Sequence, residues 1–230
     1  MKIKSLVALI PVVITGCSMS ENTQTNTTAY PDPDKVVLCQ EAGIREIIKG
    51  PGERMKCELI AVGCIEQIAY EANAGIVTAD IQFSIEEVLQ GETDQEVITV
   101  RDRQGYVSYE EYIECWPEPM QEITIQEAKK AGIDPDKFTY VYLEPLDLML
   151  LEGDRCLFGL MKSDDGHYYM QNHIADAFIN LGEAEEFIPI SGVESDQSNV
   201  FTRDADLRSE SISPMSKEQI VEILNSRIEQ

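Results

Sequence analysis

The segment Ile76–Glu86 constrains the fold more than any other part of the chain. Val77, Ala79, Ile81, Phe83 and Ile85 alternate with Thr78, Asp80, Gln82, Ser84 and Glu86. Successive side chains of a strand point to opposite faces, so this alternation predicts a strand with one buried and one solvated face. Such a strand needs partners. The preceding stretch, Glu58–Tyr70, is rich in Ile, Val and Ala and runs into Glu71-Ala72-Asn73-Ala74-Gly75. This predicts a hairpin with a loop of about five residues. Gly91 closes the second strand, and Glu96–Asp102, with Val97, Ile98 and Val100, supplies a third. Three antiparallel strands in succession form a meander able to bury one face.

After the meander the pattern breaks. Gln104–Leu150 carries Pro117, Pro119, Pro135 and Pro145 and reads as an insertion. Thr124-Ile125-Gln126-Glu127 matches a capping box and Gly132 a helix C-terminus, so the insertion is expected to hold a short helix. Arg155–Lys162 returns to strand, Ser163-Asp164-Asp165-Gly166 is a turn, and His167–Gln171 is the returning strand. Phe178–Leu181 and Phe187–Ile190 are expected as short edge strands, and the polar, acidic Ser191–Ser211 as a mobile loop. A helix follows Ser216, with Ile220, Val221, Ile223, Leu224 and Ile228 on its apolar side. Near the start of the body, Asp32-Pro33 predicts a helix with Val37, Ile44, Ile47 and Ile48 inward, stopped by Gly50-Pro51-Gly52. The expected fold is mainly β with flanking helices: a small antiparallel β-barrel, an inserted helical segment and a C-terminal helix.

The N-terminus has a different character. Met1-Lys2-Ile3-Lys4 is basic, and Ser5–Ile14 is an apolar run broken only by Pro11. A membrane-spanning helix needs about 20 apolar residues. This shorter run, with small residues before a cut site, reads as a signal peptide. Ile14-Thr15-Gly16-Cys17 resembles the lipobox of bacterial lipoproteins: an aliphatic residue, a small residue, Gly or Ala, then Cys. The resemblance implies diacylglycerol on the Cys17 thiol, a fatty-acid anchor of the palmitate kind, and cleavage between Gly16 and Cys17. Two acyl chains hold a protein stably at a membrane where one holds it marginally. Localisation is then extracytoplasmic, in a bacterial envelope. The organisation that follows is a signal peptide at 1–16, a lipidated polar tether at 17–31, and one globular domain at 32–230 with its insertion at 104–150. The tether Ser18–Ala29 is rich in Ser, Asn, Thr and Gln and has a random-coil reach of about 20 Å.

Charge narrows the partners. The chain carries 42 acidic and 18 basic side chains, a net charge of −24. Such a surface repels nucleic acid and anionic headgroups and stands off from the membrane that anchors it. The same charge also favours solubility without any specific cationic ligand. Of six cysteines, lipidation of Cys17 would leave Cys39, Cys57, Cys64, Cys115 and Cys156, an odd set. Cys57 and Cys64 lie along one strand, too far apart to bridge. A bridge is to be sought between segments, for example Cys115 with Cys156; buried reduced thiols are the alternative.

Ala61-Val62-Gly63-Cys64-Ile65, Ile85-Glu86-Glu87-Val88-Leu89-Gln90-Gly91 and Leu151-Glu152-Gly153-Asp154-Arg155-Cys156-Leu157-Phe158 resemble segments of secreted bacterial lipoproteins. Their small β-barrel is similar to the OB-like barrel of the tissue inhibitors of metalloproteinases. The resemblance implies a barrel and no activity. Those inhibitors hold zinc through a free N-terminal cysteine, and a lipidated Cys17 would not serve.

Motifs for chemistry are sparse. His167 and His173 could be joined with Cys57, Cys64 or Cys156 as zinc ligands, but no CxxC or HxxxH spacing is present. Cys115 with His173 could be drawn as nucleophile and base, and Asp164-Asp165-Gly166 as a calcium loop or simply a turn. Acidic pairs such as Glu110-Glu111 and Glu185-Glu186 carry no weight in so acidic a chain. No cofactor is expected. Tyr106, Tyr109, Tyr112, Trp116, Tyr140 and Tyr142 concentrate aromatic surface in the insertion, either as a recognition surface or as packing. The leading expectation is an anchored binding or interaction module rather than an enzyme. An inhibitor or accessory subunit of an envelope or secreted enzyme comes second, and a hydrolytic enzyme with an unrecognised site third.

Overall fold

The computed structural model describes residues 35–38, 56–73, 75–142, 148–170, 176–180, 182, 185–190 and 213–226. The chain is mainly β. Its dominant element is the hairpin of β2 (Leu59–Asn73) and β3 (Ile76–Gln90), two strands of 15 residues each. The predicted alternation of β3 is present: Val77, Ala79, Ile81 and Phe83 are buried, while Thr78, Asp80, Gln82 and Ser84 are half-buried. The loop is shorter than the expected five residues, because β2 continues to Asn73, which pairs with Ile76. Gly75, with φ of 85°, makes this tight turn possible. β4 (Val97–Asp102) completes the meander against β3.

β7 (Arg155–Lys162) pairs antiparallel with the other side of β2. The expected turn follows, closed by Gly166 N–H to the Ser163 carbonyl at 3.0 Å. β8 (Tyr168–Tyr169) then pairs antiparallel with β7 and parallel with β4. β9 (Ala177–Asn180), β10 (Glu186–Pro189) and β11 (Met215–Ser216) extend the sheet beyond β7. β9 and β10 are thus interior strands of the sheet and not the edge strands expected. The pairing is mixed rather than wholly antiparallel.

The main core lies on one face of this sheet, where Phe83, Phe158, Ile81, Leu59 and Leu160 are buried together. The Phe83 and Phe158 ring centroids are 4.7 Å apart. The continuous apolar run of β7 has a separate cause. Its opposite face is also covered, as Leu157 packs with Ile60, Val62, Phe178 and Phe187 under the C-terminal helix α3 (Lys217–Ser226). Gly159 permits that close approach: a Cβ there would lie 2.9 Å from Cys57 Sγ and 3.2 Å from Leu224. α3 begins as the sequence predicts. Ser216 N–H donates to the Gln219 side chain at 2.9 Å, and Gln219 N–H returns to Ser216 Oγ at 3.4 Å, a reciprocal cap. Ile220 and Leu224 face inward and Ile223 outward; Ile228 lies outside the described residues.

The insertion is a small α/β unit. β5 (Gly105–Ser108) leads into α1 (Tyr109–Glu114), α2 (Glu118–Ala131) and β6 (Thr139–Tyr142). β6 pairs antiparallel with β5 and parallel with β1 (Val36–Leu38). Val37 is therefore in a strand and not in the helix expected after Asp32-Pro33; Ile44, Ile47, Ile48 and the Gly50-Pro51-Gly52 stop lie outside the described residues. α2 ends at Gly132 as predicted, in the left-handed conformation at φ 75°. It starts six residues before the capping-box position. Pro117 occupies its N-cap and Pro119 its first turn, where a proline lacks no needed donor. Thr124 is mid-helix and donates its hydroxyl to the Met120 carbonyl at 2.9 Å.

Buried Gln104 joins the points where the chain leaves and re-enters the main sheet. Its Nε2 donates to Asp102 Oδ2 at 2.8 Å, and its Oε1 accepts from Leu150 N–H at 3.0 Å. The described residues all belong to the compact unit Pro31–Gln230.

Candidate interaction surface

The insertion has its own core, built on the far end of the long hairpin. Val77 from β3 is buried with Val107, Tyr109, Ile113, Ala128 and Tyr140, and Tyr70 and Ala72 from β2 pack against them. One inward face of β3 therefore serves two cores, the main one through Ile81 and Phe83 and the insertion's through Val77.

Most of the aromatic residues singled out in the sequence meet here, facing one another. Tyr112 stacks on Tyr140 with centroids 3.6 Å apart and planes 13° from parallel. Trp116 presents an edge to Tyr112 at 6.2 Å, and Tyr109 lies 5.6 Å from Tyr112. Tyr109 and Tyr140 are buried; Tyr112, Tyr142 and Trp116 are half-buried. Burial pushes the Tyr109 hydroxyl pKa up. Tyr106 stands apart, packed on Tyr70 at 4.7 Å and beside Val141, Met149 and Leu151. Trp116 sits directly over the hairpin turn: a Cβ on Gly75 would lie 2.1 Å from its ring. Cys115 braces the same turn, its Sγ accepting from Gly75 N–H at 3.4 Å and donating to the Tyr112 carbonyl at 2.9 Å. The tyrosines thus form the inner layer of the unit, leaving α1 and α2 to supply its outer surface.

That outer surface is acidic, with an apolar strip that the sequence reading did not single out. Glu110, Glu111, Glu114, Glu118, Glu122 and Glu127 are all exposed. Among them Met120 and Ile123 are 41% and 48% exposed, the highest values for large apolar side chains among the described residues. A signal existed: a helix started at Pro117 puts Gln121, Thr124, Ile125 and Ala128 inward and leaves Met120 and Ile123 on the other side. The capping-box start hid it.

A second cluster ties β3, β7 and α3 together. Arg155 Nε donates to Glu86 Oε2 at 2.8 Å, and Nη2 lies 3.2 Å from Glu185. Lys217 Nζ is 2.6 Å from Glu87 and 2.7 Å from Glu185. The hydrogen bond from Arg155 holds the Glu86 carboxyl below its usual range, and that from Lys217 does the same for Glu185. Both carboxylates therefore favour the fold above the ordinary carboxylate pKa, and the benefit is lost as pH falls through their lowered values.

Half-buried Cys64 donates its thiol to Glu86 Oε1 at 3.2 Å. Partial burial and then this bond push its pKa up to about 11 from an ordinary 9.0. The thiolate is the nucleophile, so Cys64 is expected to alkylate at pH 8 roughly 100-fold more slowly than an ordinary thiol. Peptide-mapped iodoacetamide labelling checks this, and Glu86→Gln is expected to speed it. Labelling at the ordinary rate would mean that the Cys64–Glu86 contact does not form.

The remaining candidates resolve simply. No disulfide joins Cys115 to Cys156, so the bridge considered between them is absent. Cys156 is buried in the main core, whereas Cys115 lies at the hairpin turn beside Gly75. Asp164-Asp165-Gly166 is the hairpin turn. Asp165 Oδ2 lies 3.1 Å from His167 Nδ1, and hydrogen bonding from His167 brings the Asp165 carboxyl down to about 2. No group of three or more potential metal ligands occurs among the described residues. Cys17, Gly16, Cys39 and His173 lie outside them. No protein-family model matches the chain, and no curated protein or solved structure is significantly similar to it.

Proposed function

We propose that this chain is a lipid-anchored extracytoplasmic interaction module, held at a bacterial membrane through Cys17 and presenting its insertion to a protein partner. The body is read as an OB-like barrel. Five pairings support that reading: β2 with β3 and β7, β3 with β4, and β8 with both β4 and β7. Followed in order, β2, β3, β4, β8 and β7 return to β2, a five-strand ring of the size such a barrel uses.

The observation that carries the interaction reading is the construction of the insertion. It has a sheet and a core of its own, and its tyrosines pack against each other. A small-molecule pocket would need those rings to line a cavity. A unit that spends its aromatics internally and turns two acidic helices outward suits docking onto a protein. This favours the inhibitor or accessory-subunit form of the module, in which the insertion seats on an envelope or secreted enzyme.

The test is site-specific photo-cross-linking in intact cells. Cross-linkers replace exposed Glu111, Glu122 or Asp136 on the insertion, and exposed Glu66 in β2 or Glu96 just before β4 on the main sheet. A discrete adduct from the insertion positions alone is expected. Adducts from the main-sheet positions alone would refute the insertion as the working surface.

A further inference from the structure

We propose that the outer face of α2 docks an amphipathic, cationic protein segment, with Met120 and Ile123 as the apolar contact and the glutamates around them as the electrostatic rim. The inference rests on the interaction reading above and names the partner's chemistry. Met120 and Ile123 are three residues apart, neighbours on one helix face. Pro119, also exposed, precedes Ile123 by one turn. Neither Met120 nor Ile123 contributes to a core cluster. The helix meanwhile places Gln121 and Thr124 toward the half-buried side, so its apolar residues are not positioned to maximise its own packing. Methionine is enriched at interfaces, where apolar centres are surrounded by polar rims.

Charge selects the occupant. Glu127 lies one turn beyond Ile123, Glu118 and Glu122 are exposed on the same helix, its lysines Lys129 and Lys130 are confined to the last turn, and the whole chain is at −24. A second copy would bring another body of net charge −24 against this one, and an anionic bilayer would be repelled. A segment with an apolar stripe and Lys or Arg on its flanks meets both features at once. Such a pairing should associate quickly and weaken with salt.

The probe is a fluorescein-labelled synthetic helix with a Leu stripe and Lys flanks, compared with a scrambled isomer of identical composition. Binding is read by anisotropy at about 150 mM salt, on the full lipidated chain in phosphatidylcholine nanodiscs with empty nanodiscs as blank. The amphipathic probe is expected to bind the wild type and its scramble to bind far less. Met120→Ser/Ile123→Ser, which leaves charge unchanged, is expected to weaken binding about tenfold or more. Glu122→Gln/Glu127→Gln is expected to weaken it about threefold and to flatten its salt dependence, while Glu66→Gln/Glu96→Gln, the same charge change elsewhere, leaves it unaltered. All substituted side chains are exposed, and unchanged thermal midpoints confirm intact folding.

Equal binding of the scramble, no binding by the wild type, or wild-type affinity in Met120→Ser/Ile123→Ser would each overturn the proposal. Sedimentation showing a dimer lost only in the serine variant would assign the strip to a second copy. Cosedimentation with phosphatidylglycerol vesicles, lost in that variant, would assign it to a membrane. Either outcome overturns the cationic segment. Cross-links from Glu111 and Asp136 that persist while the probe fails to bind would leave the insertion as the working surface and remove only this strip.

Discussion

Phe158→Ala is expected to cost about 3–5 kcal/mol and to lower the thermal midpoint by roughly 10 °C or more. Phe158 is completely buried in β7 and pairs across to Ala61 on β2 and Ala177 on β9. Its ring fills the space that those alanines leave and meets Phe83 at 4.7 Å. Neighbours without side-chain length cannot move in after truncation, so most of the ring's volume would remain as a void. A domain's net stability is about 5–15 kcal/mol, so the variant should sit close to unfolding at body temperature. Phe158→Leu keeps much of the volume and is expected to cost less than about 1.5 kcal/mol. Urea denaturation of the three proteins checks the order. A cost below about 1 kcal/mol for Phe158→Ala would mean that the Phe83–Phe158 contact does not anchor the main core.

The second large effect concerns the anchor. Cells grown with radiolabelled palmitate are expected to label the wild-type protein and to leave Cys17→Ala unlabelled. The reasoning is stoichiometric: the lipobox reading gives the diacylglycerol one attachment point, and alanine offers no thiol. Lipidation precedes cleavage in that scheme, so Cys17→Ala should also accumulate as a precursor longer by the 16 residues ahead of Cys17. Its gel mobility and N-terminal sequence report this independently of the label. A wild-type protein that takes no fatty acid would end the lipoprotein reading, whatever the fate of the insertion.

The parts of the fold legible in the sequence were those set by local periodicity. β3 declared itself because its side chains from Ile76 to Ser84 alternate between buried and half-buried, and α3 because Ser216, Gln219, Ile220 and Leu224 supply both a cap and a stripe. What could not be read locally came from distant pairing. Val36–Leu38 is a three-residue strand whose partner, Thr139–Tyr142, lies about a hundred residues on. Nothing near Val37 competes with the helix-start signal of Asp32-Pro33. β8 has only two residues, and its parallel partner β4 lies 68 residues before it. The prolines marked 104–150 as an interruption of the pattern; a hydrogen bond joins Gln104 to Leu150, and β1, far outside those bounds, belongs to the same small sheet. Its aromatics were visible as a group, but sequence cannot say whether tyrosines face outward or toward one another. The exposed strip at Met120 and Ile123 was missed because the capping-box reading began the helix at Thr124, which left both residues ahead of it.

Trp116 has a consequence beyond packing. It is the chain's only tryptophan, and it lies where the hairpin tip, α1 and α2 converge, its ring over Gly75 and against Tyr112. Its indole Nε1 is buried without a hydrogen-bond partner among the described residues. Tryptophan fluorescence, excited at the red edge where tyrosine does not absorb, therefore has a single source, sited on the seam between hairpin and insertion. Lifting the insertion off the hairpin would wet that indole and redden its emission, while melting of α3 at the other end would pass unseen. The molecule contains its own optical gauge of whether its outer unit is seated.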